Sequence, residues 1–178
     1  MEIRRAVPGD APAIADIYAH YVRETAITFA AAAPTAEDYV ARMADDRYPF
    51  LTAVQAGCVV GFVYAAPFRQ KEAYRWDVEL TIYLAPGNEG QGTGAALMAA
   101  CLRLLAGQGY LNAYSCITLP NERSIGLHRR FGFAELGIFR KTGYKLGTWH
   151  DVVWMGKELG MFGDQPEEPR PLSALAAP

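Results

Sequence analysis

The sequence has few cysteines and no excess of positive charge. Only three of its 178 residues are cysteine, Cys58, Cys101 and Cys116, an odd number without short pair spacing. These cysteines fit a reducing compartment and argue against both a disulfide framework and a zinc site. The chain carries 17 Lys and Arg against 19 Asp and Glu, so it lacks the concentrated basic surface that a dedicated nucleic-acid binder needs.

Long apolar runs are also missing. No run approaches the roughly 18 residues of a membrane span, and no signal-peptide core follows residues 1–6. We therefore expect a soluble, cytoplasmic protein with no membrane or nucleic-acid partner. A chain of this length buries roughly 70% of its unfolded surface, enough for one core without a metal. The change to Pro, Glu and Ala after Gly160 predicts a domain over residues 1–160 and a flexible tail over 161–178.

Hydrophobic periodicity and turn residues predict an ordered series of strands and helices. The predicted strands cover residues 1–7, 50–55, 58–66, 78–84, 111–119 and 144–158, and the predicted helices cover 11–21, a segment capped by Thr35, 92–106 and 124–131. This order indicates an α/β or α+β domain with one mixed sheet and helices on both faces. Cys101 and Cys116 are predicted at core-facing positions, which are poor places for a nucleophile.

The most informative segment is the turn over residues 89–97, between a predicted strand and a predicted helix. It carries the alternating glycines Gly90, Gly92 and Gly94, which let the backbone turn tightly and approach a ligand closely. The start of the helix adds unpaired N–H donors and a positive dipole end, so the turn suits a phosphate or diphosphate. A glycine cluster is often only a turn, but this position in the chain favours anion binding.

Two common phosphate motifs fit this turn poorly. The P-loop requires a lysine at the start of the helix, and Gly92-Thr93 has none. A dinucleotide fingerprint is formally present as Gly90-x-Gly92-x-x-Ala95, but it lies in mid-chain and no acidic residue occurs about 20 positions later. Neither motif identifies the anion.

Motifs in several places resemble one enzyme superfamily. The turn over 89–97 resembles the acetyl-CoA pyrophosphate loop of the GCN5-related N-acetyltransferases (GNAT), and residues 119–133 resemble the second half of that signature. Similarity to the phosphinothricin and methionine sulfoximine acetyltransferases is carried by residues 17–22, 25–29, 74–76 and 143–152. The resemblance covers about residues 2–159. It implies the GNAT fold with a single, mostly antiparallel sheet, acetyl-CoA as co-substrate and no metal.

The resemblance also implies two catalytic residues. Glu79 matches the family's catalytic glutamate, and burial within an apolar strand would raise its pKa toward the task of a general base. His128 stands where this subgroup has a histidine, which can protonate the departing thiolate or shuttle a proton from the amine. Without the motif, an exposed strand glutamate and a helix-surface histidine would be equally good or better interpretations.

Acetyl-CoA contacts follow from the same resemblance. The strand end should pair with the pantetheine arm, the turn should hold the diphosphate, and Asn121 should contact the pantetheine from the other side. The implied residues are Ile82, Tyr83, Leu84, Gly90, Gln91, Gly92, Thr93, Gly94, Ala95 and Asn121. Asn121 could equally be a turn-forming residue after Pro120. The family usually has Gln or Arg where this chain has Glu89, whose carboxylate would repel a diphosphate unless it points to solvent.

A substrate with a carboxylate needs cations near Glu79, because arginine forks bind carboxylates and phosphinates bidentately. The candidate substrate contacts are Phe29, Arg69, Lys71, Arg75, Leu80 and Thr81. Each of the three cations could equally lie in a solvated loop. By resemblance, the expected protein is a homodimer with residues 141–154 near the partner.

The expected reaction is direct transfer of the acetyl group of acetyl-CoA to the amine of a small amino-acid-like molecule, in a ternary complex. Two alternatives stay open. One is acetylation of a protein or peptide, a polyamine or an aminoglycoside, although the last two require an acidic site and residues 69–75 are basic. The other is a non-catalytic acyl-CoA-binding module.

Overall fold

One seven-stranded sheet organises residues 1–175, the part of the chain that this computed structural model describes. In chain order the elements are β1 (Glu2–Arg5), α1 (Ala11–Glu24), α2 (Ala36–Met43), β2 (Phe50–Gln55), β3 (Cys58–Pro67), β4 (Asp77–Leu84), α3 (Thr93–Gln108), β5 (Asn112–Thr118), α4 (Glu122–Arg130), β6 (Ala134–Lys145) and β7 (Thr148–Glu158). The strand order is β1-β2-β3-β4-β5-β7-β6. All neighbours are antiparallel except β4 and β5. The predicted mixed, mostly antiparallel sheet is confirmed.

Adjacent residues of β3 point into two cores, one on each face of the sheet. Phe62 packs with Ile14 of α1 and Tyr39 of α2, whereas Val63 packs with Leu97 of α3. Successive strand side chains point to opposite faces, so the helices cover both faces, as predicted. Burial of side chains of this size contributes about 1.5–3 kcal/mol each, and these contacts hold both helical layers to the sheet.

Local signals in the sequence determine where several elements begin. Ala56 and Gly57 both have positive φ (49° and 80°) and join β2 to β3, the backbone that a two-residue hairpin requires. Thr35 accepts a hydrogen bond from the Asp38 N–H at 3.2 Å, and the Asp38 carboxylate accepts one from the Thr35 N–H at 2.8 Å. This reciprocal cap starts α2 at the position that the sequence predicts.

The last strand predicted within residues 144–158 is β7, but the sequence did not predict β6, the long strand that precedes it and forms a hairpin with it. β6 and β7 pair antiparallel and turn at Leu146 and Gly147, where φ is 51° and 78°. β6 is the edge strand of the sheet and is mostly exposed, so its sequence lacks the apolar alternation that marks a half-buried strand. Pairing with β7, rather than its own pattern, makes it a strand.

Part of the segment predicted to be a flexible tail packs against the domain. The Gln108 side chain donates to the Arg170 carbonyl at 2.8 Å, and the Arg170 N–H donates to the Gln108 carbonyl at 2.7 Å. Leu172 is buried, and its N–H donates to the Asp46 carbonyl at 2.8 Å. Composition does not reveal such partners, because they come from distant residues. Residues 176–178 of that predicted tail lie outside the described residues, and the domain boundary at residue 160 stays a prediction.

Within residues 1–175, no helix has the length and apolar character needed to cross a membrane. The same residues hold no group of three His, Cys, Asp or Glu side chains that could bind a metal ion.

Candidate active site

The only parallel strand pair in the described sheet opens into a cleft. β4 and β5 pair at three positions, the last being Glu79 with Tyr114. Beyond that point β4 remains paired with β3 up to Leu84, and β5 remains paired with β7 up to Thr118. The two strands therefore separate, and the inner edge of β4 presents backbone N–H and C=O groups that an extended ligand can pair with as a further strand.

The cleft has a volume of about 880 Å³, within the range of small-molecule sites. It is lined by α1, β4, the glycine turn, β5 and α4. Most of the sequence-predicted site residues line it, namely Phe29, Glu79, Leu80, Thr81, Ile82, Tyr83, Leu84, Gly90, Gly92, Gly94, Ala95, Asn121 and His128. The fold thus brings together residues that lie up to about 100 positions apart in the chain.

The backbone of the glycine turn is shaped to bind an anion. Gly90 and Gly92 have φ of 77° and 86°, in the left-handed region that favours glycine. Gly92 is the N-cap of α3, and no side chain caps that helix end. The N–H groups of the first turn, at residues 93–95, are therefore available to a ligand at the positive end of the helix dipole.

Two residues predicted to bind acetyl-CoA are not part of the cleft lining. Thr93 is buried beneath the turn. Gln91 is exposed, and its side-chain amide donates to the Gly87 carbonyl at 3.2 Å. Gln91 therefore stabilises the turn from outside, and any contact of Thr93 with the ligand would be through its backbone.

Glu89 is turned toward its own loop. Its carboxylate accepts a hydrogen bond from the Gly87 N–H at 3.0 Å, although Glu89 also lines the cleft. On the opposite wall, Arg123 and Arg130 of α4 line the same cleft. The sequence pattern does not single out these two arginines. Their only signal was the basic character of residues 123–130, and the fold alone places them across from the glycine turn.

Of the three predicted substrate cations, only Arg69 lies beside Glu79. Its guanidinium stacks 4.0 Å from the centre of the Phe68 ring and lines a smaller neighbouring cavity of about 300 Å³. Its positive charge opposes the rise in the pKa of Glu79. Arg69 is thus adjacent to the cleft without lining it.

Arg75 and Lys71 are not brought to the cleft. Arg75 donates to the Glu72 carbonyl at 3.0 Å and forms an ion pair with Glu168 in the C-terminal segment. Lys71 is exposed and precedes a single 3-10 turn, Glu72–Tyr74. The sequence showed that both cations lie near β4 in the chain, but it did not show the C-terminal carboxylate that attracts Arg75.

Glu79 is half-buried on the face of β4 that also carries Thr81 and Tyr83. Burial raises the pKa of its carboxyl group above the ordinary value, and the nearby Arg69 partly offsets this rise. A carboxylate with a raised pKa accepts protons more readily, as a general base must.

His128 is buried, with only 2% of its surface exposed, which excludes the alternative of a helix-surface histidine. Nδ1 lies 2.8 Å from the Ser124 carbonyl oxygen, and Nε2 lies 2.9 Å from Ser115 Oγ. Desolvation lowers the pKa of the imidazole, and the Ser124 carbonyl partly opposes this effect. The resting form at neutral pH is therefore the uncharged imidazole.

Tyrosines of α1, which sequence reasoning also missed, close one side of the cleft. The Tyr21 hydroxyl donates to the Leu84 carbonyl at 2.7 Å, and the Tyr18 ring packs edge-on against Tyr83 with centroids 5.0 Å apart. These contacts fix the end of β4 against α1.

Cys116 is not core-facing, contrary to the sequence prediction. It is exposed on the cleft wall, whereas Cys101 is buried as predicted. Groups around the cleft still desolvate the thiol and, together with the Glu79 carboxylate, raise the pKa of Cys116 to about 11, an effect that Arg69 partly offsets. Few thiolates form at neutral pH under those conditions, so Cys116 is a poor nucleophile.

Comparisons with known proteins agree with this geometry. A family model described as an acetyltransferase (GNAT) domain matches residues 3–154. Phosphinothricin N-acetyltransferase of Streptomyces coelicolor is 38% identical, over 89% of this chain and 96% of that protein. L-methionine sulfoximine/L-methionine sulfone acetyltransferase of Pseudomonas aeruginosa is 35% identical, over 88% and 94% respectively.

A solved structure is similar over nearly the whole chain. It is a GNAT superfamily phosphinothricin acetyltransferase from Sinorhizobium meliloti in complex with AcCoA, with a TM-score of 0.90 and 32% identity. The similarity covers 98% of this chain and 97% of that one. Both walls of the cleft lie within residues 3–154, the segment that the family model matches.

Proposed function

Since this chain belongs to the GNAT acetyltransferase family and is an acetyl-CoA-dependent N-acetyltransferase of the phosphinothricin and methionine sulfoximine type, we propose that it acetylates the amine of a small amino-acid-like substrate by direct transfer in a ternary complex. The observation that carries this proposal is the separation of β4 from β5 beyond Glu79. This separation leaves a free edge on β4 that leads to the uncapped N-terminus of α3. Glu79, the candidate base, lies where the two strands part.

The residues present fit acetyl-CoA. The edge of β4 at residues 82–84 can pair with the pantetheine amides, and the N–H groups of the glycine turn can hold the diphosphate. The Asn121 side-chain oxygen accepts from the Ser124 N–H at 3.2 Å and so caps α4. Its amide NH₂ group remains able to donate to a pantetheine carbonyl. Arg123 and Arg130 can add charge-assisted contacts to the phosphates.

Direct transfer follows from the chemistry of the cleft residues. A substrate ammonium group must lose one proton before its nitrogen can attack, and Glu79 is placed to accept it, directly or through a water. A backbone N–H of β4 can stabilise the developing oxyanion, an effect worth about 3 kcal/mol. An acyl-enzyme is disfavoured because Cys101 is buried and the Cys116 thiol has a raised pKa.

An acidic group on the substrate is favoured by Arg69. This residue is the predicted substrate cation that lies close enough to Glu79 to influence its pKa. Its planar guanidinium can bind a carboxylate or phosphinate bidentately while Glu79 faces the amine. A polyamine lacks any group for Arg69, which argues against that alternative.

Measurement of thiol release from acetyl-CoA tests the proposal. The panel contains amino acids, phosphinothricin, methionine sulfoximine, peptides and polyamines. We expect turnover with the amino-acid-like compounds. Preferential turnover of peptides or polyamines would show that those compounds are the substrate class instead. Binding of acetyl-CoA without turnover of any amine would identify a non-catalytic acyl-CoA module instead.

Phe29 is proposed as a wall of the substrate pocket, and Gly143 of β6 makes room for it. A Cβ built at Gly143 overlaps the Phe29 ring. Gly143→Ala must therefore displace the ring, and we expect a rise on the order of 10-fold in the KM of the amino substrate. The KM of acetyl-CoA should change little.

The steady-state KM of each substrate is the measurement for this prediction. Gly137→Ala is the matched control, because Gly137 lies on the same strand and its Cβ would meet nothing within 4 Å. Equal KM values for Gly143→Ala and the wild type would remove Phe29 from the pocket.

We also propose a homodimer that forms through the β6–β7 hairpin. The hairpin exposes large apolar side chains at Leu136, Ile138, Phe139, Tyr144, Leu146 and Trp149. A concentration of exposed large apolar side chains on one hairpin favours a protein interface. The free cysteines Cys58, Cys101 and Cys116 fit the reducing cytoplasm, which is the compartment that we propose.

Phe139→Glu is expected to dissociate the dimer, because it places a charge within the apolar hairpin surface. Light scattering after gel filtration should give about twice the 19.5 kDa chain mass for the wild type and a single chain mass for the variant. Val40→Glu is the control, since Val40 is an exposed apolar residue of α2. A monomeric wild type would contradict the proposal.

A further inference from the structure

Both ring nitrogens of His128 are engaged within the protein. The Ser124 carbonyl can only accept a hydrogen bond, so Nδ1 carries the proton and donates across the 2.8 Å separation. In that tautomer Nε2 is an acceptor, and the Ser115 hydroxyl donates to it at 2.9 Å. A proton that reaches or leaves Nε2 must therefore pass through Ser115 Oγ.

Ser115 lies at the apex of the cleft. It directly follows Tyr114, the last β5 residue that pairs with β4. It is 2% exposed and lines the cleft on the face opposite Glu79, the face that packs against α3. A hydroxyl group that donates one hydrogen bond still has lone pairs with which it can accept another. Ser115 Oγ can thus face the reacting atoms while it holds His128.

We propose that Ser115 is a catalytic residue and that Ser115 and His128 form a proton relay between the attacking amine and the departing thiolate. This inference rests on the proposed function. In this relay the Ser115 hydroxyl contacts the reacting atoms, and His128 holds the proton until it is passed to the sulfur.

Two protons leave the substrate nitrogen in the reaction, and the relay carries the second. Glu79 accepts the first proton from the ammonium group. After the N–C bond has formed, Ser115 Oγ accepts the second proton while its own hydroxyl proton moves to His128 Nε2. The reverse transfers then deliver a proton to the sulfur as the C–S bond breaks. Ser115 and His128 end unchanged, the products are an amide and a neutral thiol, and one proton passes to solvent.

The geometry of the reacting carbon makes a single hydroxyl sufficient. The nitrogen and the sulfur are both bonded to that carbon when the proton is transferred, so one oxygen at the apex of the cleft can reach both in turn. A neutral His128 is the form needed at the start of this sequence, because an imidazolium could not accept the proton.

Kinetics of the full chain with the best amino substrate of the panel test the relay. Ser115→Ala and His128→Asn are each expected to lower kcat by about 10²-fold, the lower end of the range for general acid–base catalysis. The KM of acetyl-CoA should stay within about twofold of the wild type. The double variant should lose no more than the worse single variant, because residues that act as one unit are non-additive.

Three further variants separate the relay from a packing role. Ser115→Thr keeps a hydroxyl and should retain most of kcat. Thr52→Val removes another buried strand hydroxyl, which bonds to Asp10, and should leave kcat unchanged. Ser115→Cys keeps the shape of the side chain but offers only a weak hydrogen-bond donor, so its kcat should fall. It takes the place of Ser115→Ala if the alanine variant does not fold.

The relay is overturned if Ser115→Ala or Ser115→Cys turns over at the wild-type rate, or if the losses multiply in the double variant. A wild type that binds acetyl-CoA but acetylates no amine would overturn the proposed function, and the relay with it. If the wild type acetylates an amine and the Ser115 variants have the same kcat as the wild type, the relay alone is overturned.

Discussion

Glu79→Gln is expected to lower kcat by about 10²- to 10⁴-fold, the range for loss of a general base. Glutamine keeps the size of the side chain and its place at the apex of the cleft, but it cannot accept a proton from the substrate ammonium. The proposed acetyl-CoA contacts lie further along β4 and in the glycine turn, so acetyl-CoA affinity should be nearly unchanged. Single-turnover rates and calorimetric binding of acetyl-CoA measure the two effects separately.

The pH dependence of the same variant provides a second test. Burial raises the pKa of Glu79, and the base works only when it is deprotonated. The wild-type rate should therefore fall as the pH is lowered through this raised pKa, at a higher pH than an exposed glutamate would give. The fall of the rate at low pH that is due to protonation of Glu79 should be absent from the pH–rate profile of Glu79→Gln.

Glu158→Gln is the matched control, because Glu158 is exposed at the end of β7. It should retain the wild-type rate and profile. An unchanged kcat for Glu79→Gln would remove Glu79 from the mechanism.

Ala95→Glu is expected to weaken acetyl-CoA binding by on the order of 10- to 100-fold while leaving the fold at least as stable. Ala95 lies in the first turn of α3 and lines the cleft. A carboxylate there would repel a diphosphate a few ångströms away, at a cost of about 1.4–2.8 kcal/mol in a medium of intermediate dielectric constant. The same charge at a helix N-terminus stabilises the helix by about 0.3–1 kcal/mol.

Ala95→Gln separates charge from size. It adds a side chain of the same length without the charge, so it should retain most of the affinity. Dissociation constants from calorimetry and melting temperatures of both variants are the measurements. Equal losses in Ala95→Glu and Ala95→Gln would mean that the side chain blocks the site sterically. Unchanged affinity in Ala95→Glu would place the diphosphate elsewhere.

Glu89 shows why position matters for such a charge. Its carboxylate is already present in the turn, but it is satisfied by the Gly87 N–H. The sequence raised the possibility of repulsion at Glu89, and only the folded loop revealed this hydrogen bond. A carboxylate at Ala95 would lie in the first turn of the helix, where we propose that the N–H groups hold the diphosphate.

By itself, the sequence determined the features that depend on neighbouring residues. The left-handed backbone of the turn needs glycine at Gly90 and Gly92, and the Thr35–Asp38 cap needs both partners within one helical turn. Alternation and helical spacing predicted most strands and helices, because burial on one face imposes a period on the chain. The resemblance of residues 89–97 and 119–133 to the acetyltransferase signature then indicated the chemistry and the candidate site.

Only the tertiary structure decided features that depend on distant partners. The fold buries His128 against β5, and this desolvation keeps its imidazole neutral while Ser115 bonds to the ring. Arg75 lies away from the substrate side because the C-terminal segment brings Glu168 next to it. β6 is a strand because β7 lies beside it. Hydrogen bonds and ion pairs of this kind join groups far apart in the chain, and no local period or spacing in the sequence records which partners will meet.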